Sequence, residues 1–98
     1  MIDTTPKYKR VMLKLSGEAF GFAGKAGSGI SIDETLNIAR TIKKVVASGV
    51  QLIVVVGGGN ILRGARFAAG GEVIKESTAH YMGMLATVLN GQALMSAL

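Results

Sequence analysis

The chain has 98 residues with no cysteine, one histidine and six acidic residues, and its formal net charge is +5. The absence of cysteine excludes disulfides and thiolate metal sites, and so few acidic residues leave little for a metal cage built from protein ligands alone. The length allows one domain, and a hydrophobic content of 49% is enough for a core.

The basic residues are spread along the chain, without a long basic run and with only five aromatic residues among them. This pattern argues against a nucleic-acid partner, whereas a basic balance suits a protein that receives polyphosphate ligands. The N-terminus lacks the apolar core of a signal peptide, and the longest apolar stretch, residues 81–98, is interrupted by glycine and amide residues. We therefore expect a cytoplasmic protein that does not enter a membrane.

The first half of the chain predicts a βαβ unit. Residues 8–16 alternate between apolar and polar side chains, which indicates a strand, and the glycine-rich residues 17–30 predict a loop or a loose hairpin. Ser31 with Glu34 forms a capping box, with Asp33 as the alternative cap, and a helix follows to about Ser48. Gly49 stands where a helix ends. The predicted buried stripe of this helix is Leu36, Ala39, Ile42 and Val46.

The second half begins with residues 50–56, six of which are apolar and mostly β-branched, so the sequence predicts a strand buried on both faces. Three glycines follow it. Asn60 then caps a predicted short helix to about Phe67, and a last helix begins at Val73 or Glu76 and continues to the end. This last helix is so apolar that either further chain or a second subunit must cover it.

Both predicted strands run in the same direction, so their carboxyl ends meet at one edge of the sheet, where open α/β sheets bind ligands. Lys14, Ser16 and Gly17 end the first strand, and residues 57–60 end the second. Glycines there let backbone amides approach an anion, and a lysine supplies a point charge for phosphoryl oxygens. Arg63 lies one turn beyond the glycines and is preferred over Arg66 as a further phosphate contact.

Two common phosphate motifs are absent. No lysine follows the glycines as a P-loop requires, and the glycine spacing fits a dinucleotide fingerprint poorly. The single histidine, His80, cannot complete a Ser/His/Asp or Cys/His set, so nucleophilic hydrolysis is not expected. A lone histidine near the start of a helix is more often structural than catalytic. The sequence predicts a phosphate-binding site of another kind.

Three segments resemble motifs of bacterial-type uridylate kinases, in the amino acid kinase superfamily. They are residues 8–18 (YKRVMLKLSGE), residues 56–64 (VGGGNILRG) and residues 82–90 (MGMLATVLN). The first motif is partly shared with carbamate, acetylglutamate and aspartate kinases, while the third points to uridylate kinase. The resemblance implies an α/β fold, the βαβ-based parallel-sheet sandwich of the carbamate kinase-like type. It covers the whole chain but only the N-terminal two-fifths or so of the family, so residues 1–98 are expected to lack the C-terminal nucleotide-binding part.

The resemblance also implies an activity, the transfer of the γ-phosphate of ATP to UMP with Mg²⁺ in pyrimidine nucleotide biosynthesis. It places Lys14, Leu15, Ser16 and Gly17 at the ATP phosphates, with Lys14 stabilising the transferring group. Gly59 and Arg63 would lie on the ATP side and Gly58 at UMP. His80 occupies a position where the family often has an aspartate that contacts UMP, so it is a candidate UMP residue. Family members are hexamers, and many are activated by GTP.

Two alternatives to a UMP kinase stay open. One is another amino acid kinase that acts on a carbamate or acetylglutamate type of substrate. The other is a non-catalytic module that binds a nucleotide and transfers nothing. If the chain is part of a UMP kinase, the isolated chain is expected to be inactive, because the rest of the kinase cleft is missing.

Overall fold

The computed structural model describes residues 5–22, 29–62 and 73–98. Within them the elements are strand β1 (Arg10–Leu15), a short 3-10 helix (Gly17–Phe20), helix α1 (Ile32–Ala47), strand β2 (Gln51–Val56) and helix α2 (Glu76–Ala97). No helix in this part of the chain combines the length and the apolarity needed to cross a membrane.

Strands β1 and β2 form a parallel pair in which Arg10 lies opposite Gln51 and Leu15 lies opposite Val56. Helix α1 connects them, so the βαβ unit predicted from the sequence is confirmed. The Gly57 N–H donates to the Leu15 carbonyl at 2.9 Å, which continues the ladder one residue past β2. The two strands therefore end side by side.

Helix α1 begins and ends as the local sequence predicts. The Ser31 hydroxyl accepts a hydrogen bond from the Glu34 N–H at 3.3 Å, so Ser31 and not Asp33 is the N-cap. Gly49 follows the helix with a φ of 100°, a left-handed conformation that glycine adopts at little cost.

The predicted buried stripe of α1 is correct for Ala39 and Ile42 but wrong for Val46, which is 49% exposed. Residues 43–49 are all exposed, so the last turn of α1 extends beyond the core. At the other end of the helix Thr35 is buried, and its hydroxyl donates to the Ser31 carbonyl at 2.8 Å. Because the hydroxyl is hydrogen-bonded, its burial does not carry the energetic penalty of an unsatisfied polar group.

The core lies between the helices and one face of the sheet. Phe20, Ala39, Ile42 and Leu94 form its centre, and side chains of both strands pack against them. The prediction of a plain loop after β1 is wrong at its start, because residues 17–20 form a 3-10 helix that carries Phe20, fully buried, into this core. The remainder of that predicted loop, residues 23–28, lies outside the described residues.

The prediction that β2 is buried on both faces is wrong. Ile53 and Val55 are 49% and 45% exposed, and Met12, the neighbour of Ile53 in β1, is 67% exposed. The reason is that the core contacts only the other face, the one that carries Leu52, Val54 and Val56. The described part of the chain thus holds one helical layer on one side of the sheet.

Helix α2 begins at Glu76, the later of its two predicted starts. Its buried residues are small or polar apart from one leucine: Ala79, Ala86, Asn90 and Leu94. Most of its large apolar side chains instead face outward, and these are Tyr81, Met84, Leu85, Val88, Leu89 and Met95. Small residues let α2 approach the end of β2 closely, which positions the site described next.

Candidate functional site

An open cleft of about 340 Å³ lies where the two strands end. Residues from four parts of the chain line it: the end of β1, the 3-10 helix, the glycine turn after β2 (residues 57–59), and α2. They are Lys14, Ser16, Gly17, Glu18, Gly57, Gly58, Gly59, Leu62 and Gly83. The sheet edge that the sequence predicts as a ligand site is therefore a real concavity.

The two strand ends contact each other through bare backbone. A Cβ atom on Gly17 would overlap the backbone nitrogen of Gly59 and would stand 2.8 Å from the nitrogen of Gly58. Real Cβ atoms do not come so close to backbone, so only glycine at position 17 permits this approach. As a result, the amide nitrogens of Gly58 and Gly59 lie on the Gly17 side of the turn, at the cleft.

Helix α2 packs against the other side of the glycine turn. A Cβ atom on Gly58 would stand 2.8 Å from the Ala86 Cβ and 3.1 Å from the Gly83 carbonyl oxygen. Gly58 is therefore held between the 3-10 helix and α2, and a larger residue would push α2 away. This double contact fixes the turn without any side chain filling the cleft.

The charged groups of the cleft come from β1 and the 3-10 helix. Lys14 is exposed at the rim. The Ser16 hydroxyl accepts a hydrogen bond from the Glu18 N–H at 3.4 Å and donates to the Glu18 carboxylate. A cation, a hydroxyl and several backbone amides at the end of two parallel strands suit a phosphorylated ligand.

Glu18 is a cleft residue that the sequence reasoning missed. Its carboxylate lies against Gly59, where a Cβ atom would stand 2.7 Å from Oε1. The available signal was its position two residues after Ser16, at the end of the first kinase-like motif, residues 8–18. Gly83 was missed too, because nothing in the local pattern of α2 shows that it meets a turn 25 positions earlier.

The donor set fits a magnesium ion that is carried by phosphates and not one held by protein alone. Within the described residues, no group of three or more His, Cys, Asp or Glu side chains could hold a metal. Among its described lining residues the cleft offers one carboxylate, Glu18, beside the Ser16 hydroxyl. Mg²⁺ commonly takes one or two carboxylates and fills its remaining positions with substrate phosphates and water.

The structure brings together five of the eight predicted site residues: Lys14, Ser16, Gly17, Gly58 and Gly59 all line the cleft. Leu15 lies beside them but packs against the core, so its backbone is the part nearest the cleft. Arg63 lies outside the described residues, as does most of the short helix predicted after Asn60.

His80 lies apart from the described lining of the cleft. Its imidazole is on the exposed side of α2, with Nε2 3.5 Å from Oε1 of Glu76 one turn earlier. Its role at a ligand stays a prediction.

Two comparisons with known proteins agree with the fold. The sequence profile of the amino acid kinase family matches residues 9–98. Among solved structures, the chain is similar to a UMP kinase from Bacillus anthracis, with 33% sequence identity and a TM-score of 0.71. That match covers 91% of this chain and 36% of the Bacillus anthracis chain. The chain thus spans little more than a third of the length of that relative.

Proposed function

Since the chain belongs to the amino acid kinase family, we propose that it is the N-terminal part of a UMP kinase, which transfers the γ-phosphate of ATP to UMP to give UDP. The observation that carries the proposal is the cleft in which Lys14 and the glycine turn meet at the ends of two parallel strands. The likeness to the Bacillus anthracis UMP kinase supports the choice of acceptor. Such an enzyme acts in pyrimidine nucleotide biosynthesis in the cytoplasm.

The proposed chemistry is positioning and charge stabilisation, with no covalent intermediate. Lys14 is the catalytic residue, because its ammonium group stabilises the charge on the transferring phosphoryl group. The Gly17 N–H donates to ATP phosphates, and so does the Ser16 hydroxyl after it leaves the Glu18 carboxylate. Leu15 contributes through its backbone. Glu18 would be the carboxylate to hold a Mg²⁺ bound with ATP, and that ion would supply neutralisation of phosphate charge.

In this proposal different residues of the glycine turn contact the two nucleotides. Gly58 binds the phosphate of UMP, whereas Gly59 and Arg63 lie on the ATP side. His80 is the proposed UMP contact from α2, and it requires the imidazole to leave Glu76. The complete enzyme is proposed to be a homohexamer that GTP can activate.

The proposal is tested with the full-length gene product that contains this chain. A coupled assay measures ADP release with Mg·ATP and each of three acceptors: UMP, N-acetylglutamate and carbamate. We expect turnover with UMP, and a Lys14→Ala variant should retain UMP binding while kcat falls by about 10²-fold or more, as for loss of one charge-stabilising group. Turnover with another acceptor would make the protein a different amino acid kinase, and binding without turnover would make it a nucleotide-binding module.

A second assay tests whether the isolated chain is catalytically active by itself. Because the chain spans 36% of the UMP kinase that it matches, we propose that the isolated chain is inactive. UMP-dependent ADP formation by the purified chain alone would contradict this.

A further inference from the structure

Two asparagine side chains form a closed pair behind the glycine turn. Asn60 follows the turn and Asn90 lies on α2, and both are fully buried. Nδ2 of Asn60 donates to Oδ1 of Asn90 at 3.0 Å, and Nδ2 of Asn90 donates to Oδ1 of Asn60 at 2.6 Å. Each amide therefore serves as donor and acceptor for the other.

The second hydrogen of each amide reaches a backbone carbonyl. Asn90 donates to the Gly57 oxygen at 2.8 Å, and Asn60 donates to the Gly29 oxygen at 3.0 Å. The Gly29 N–H in turn donates to the Asn60 carbonyl at 2.8 Å. All four side-chain N–H donors are used, and a fully satisfied buried network of this kind is rigid. It holds α2, the glycine turn and residue 29 in one arrangement.

The bond from Asn90 to Gly57 has a directional consequence. In a trans peptide the C=O and the following N–H lie in one plane and point in opposite directions. Because the Gly57 oxygen points to Asn90, the Gly58 N–H points away from it. Gly17 lies close to the same peptide, since a Cβ atom there would stand 2.8 Å from the Gly58 nitrogen. Gly17 and Gly58 both line the cleft, whereas Asn90 is fully buried.

We propose that Asn90 is a positioning residue that aims the Gly58 N–H into the cleft as a donor to the phosphate monoester of the acceptor nucleotide. Asn60 accepts a hydrogen bond from the Asn90 amide, but it is Asn90 that donates to the Gly57 oxygen. The inference rests on the proposed function for the identity of the ligand, but the orientation of the Gly57–Gly58 peptide follows from the hydrogen bonds alone. Asn90 itself touches no ligand in this arrangement.

The pair offers its own matched control. Asn90→Asp and Asn60→Asp are the same isosteric change at two equally buried positions, and each removes two donated hydrogen bonds. Only Asn90→Asp frees the Gly57 carbonyl, because in Asn60→Asp the Asn90 amide still donates to it. Two readouts are taken on the ¹⁵N-labelled full-length gene product that contains this chain. They are the Gly58 amide resonance without ligand, and the affinities for UMP and for inorganic phosphate from titrations.

We expect Asn90→Asp to shift the Gly58 resonance and to weaken UMP and phosphate binding about tenfold, the order expected for one misdirected hydrogen bond to a charged group. Asn60→Asp should leave both nearly unchanged and shift the Gly29 resonance instead. Equal losses in the two variants would mean that the pair only stabilises the fold, and the proposal would be overturned.

The neutral variants Asn90→Ser and Asn60→Ser repeat the comparison without a buried carboxylate, in case that charge prevents folding. If both Asn90 variants unfold while both Asn60 variants fold, Asn90 is a core residue and the proposal fails. If the Gly58 resonance shifts as expected and phosphate binding weakens but wild type does not bind UMP, the positioning role stands and the UMP kinase assignment fails.

Discussion

Gly17 and Gly59 meet backbone to backbone at the ends of the two parallel strands, with no room for a Cβ atom on Gly17 beside the Gly59 nitrogen. This contact brings the segment after β1 against the turn after β2, so that Lys14 and the glycine amides share one cleft. A side chain at position 17 would therefore force the two segments apart.

Gly17→Ala should open this contact and damage the site. The added Cβ meets backbone atoms of Gly58 and Gly59, which cannot rotate away as a side chain can, so the two strand ends must separate. Overpacking of this kind costs about 1–3 kcal/mol of stability. We expect a lower urea midpoint and loss of UMP binding in calorimetry. Unchanged UMP affinity would show that the close approach is not needed by the site.

Gly91→Ala is the matched control, because the same methyl group makes only an ordinary van der Waals contact there. A Cβ atom on Gly91 would meet only Cγ2 of Val56, at an ordinary 3.9 Å. Gly91 lies inside α2, where alanine is more favourable than glycine by about 0.5–1 kcal/mol. We expect a raised urea midpoint with UMP affinity unchanged. A lowered midpoint would mean that α2 lies closer to β2 than the 3.9 Å contact with Val56 indicates.

The sequence predicted those parts of the fold that are set by local hydrogen bonds. The Ser31 cap joins atoms three residues apart, and the residue types alone identify it. The β-branched run of β2 predicted a strand but not its exposed face, because apolar composition does not tell which layers cover a sheet. Asn90 looked like an interruption in an apolar helix, since its partners Gly57 and Asn60 lie 33 and 30 positions away.

Gly49→Ala tests the end of α1. Gly49 has a φ of 100°, and its N–H donates to the Val46 carbonyl at 3.0 Å. An L-residue with a Cβ atom in the left-handed region costs about 1–2 kcal/mol. We expect Gly49→Ala to lower the urea midpoint, while Gly49→Asn should lower it less, because asparagine tolerates this region. Equal losses from both variants would point to a cause other than backbone strain.

The outward face of α2 predicts self-association. Its large apolar side chains include Tyr81 and Leu85, which are 67% and 64% exposed, and an apolar surface of this kind is typical of an interaction site. We expect the wild-type chain to sediment as a dimer or larger species whose proportion rises with concentration. Val88→Lys should shift the chain towards monomer, because burying an unpaired ammonium group at an interface is costly.

Val73→Lys is the control for that experiment. It introduces the same charge in place of the same side chain, but Val73 is 94% exposed and lies before α2 begins. The substitution should therefore leave the sedimentation pattern unchanged. If both variants dissociate the chain alike, added charge rather than the α2 face explains the effect. A wild-type chain that stays monomeric at every concentration would show that two copies do not pair through this face. Other parts of a longer chain would then be expected to cover it.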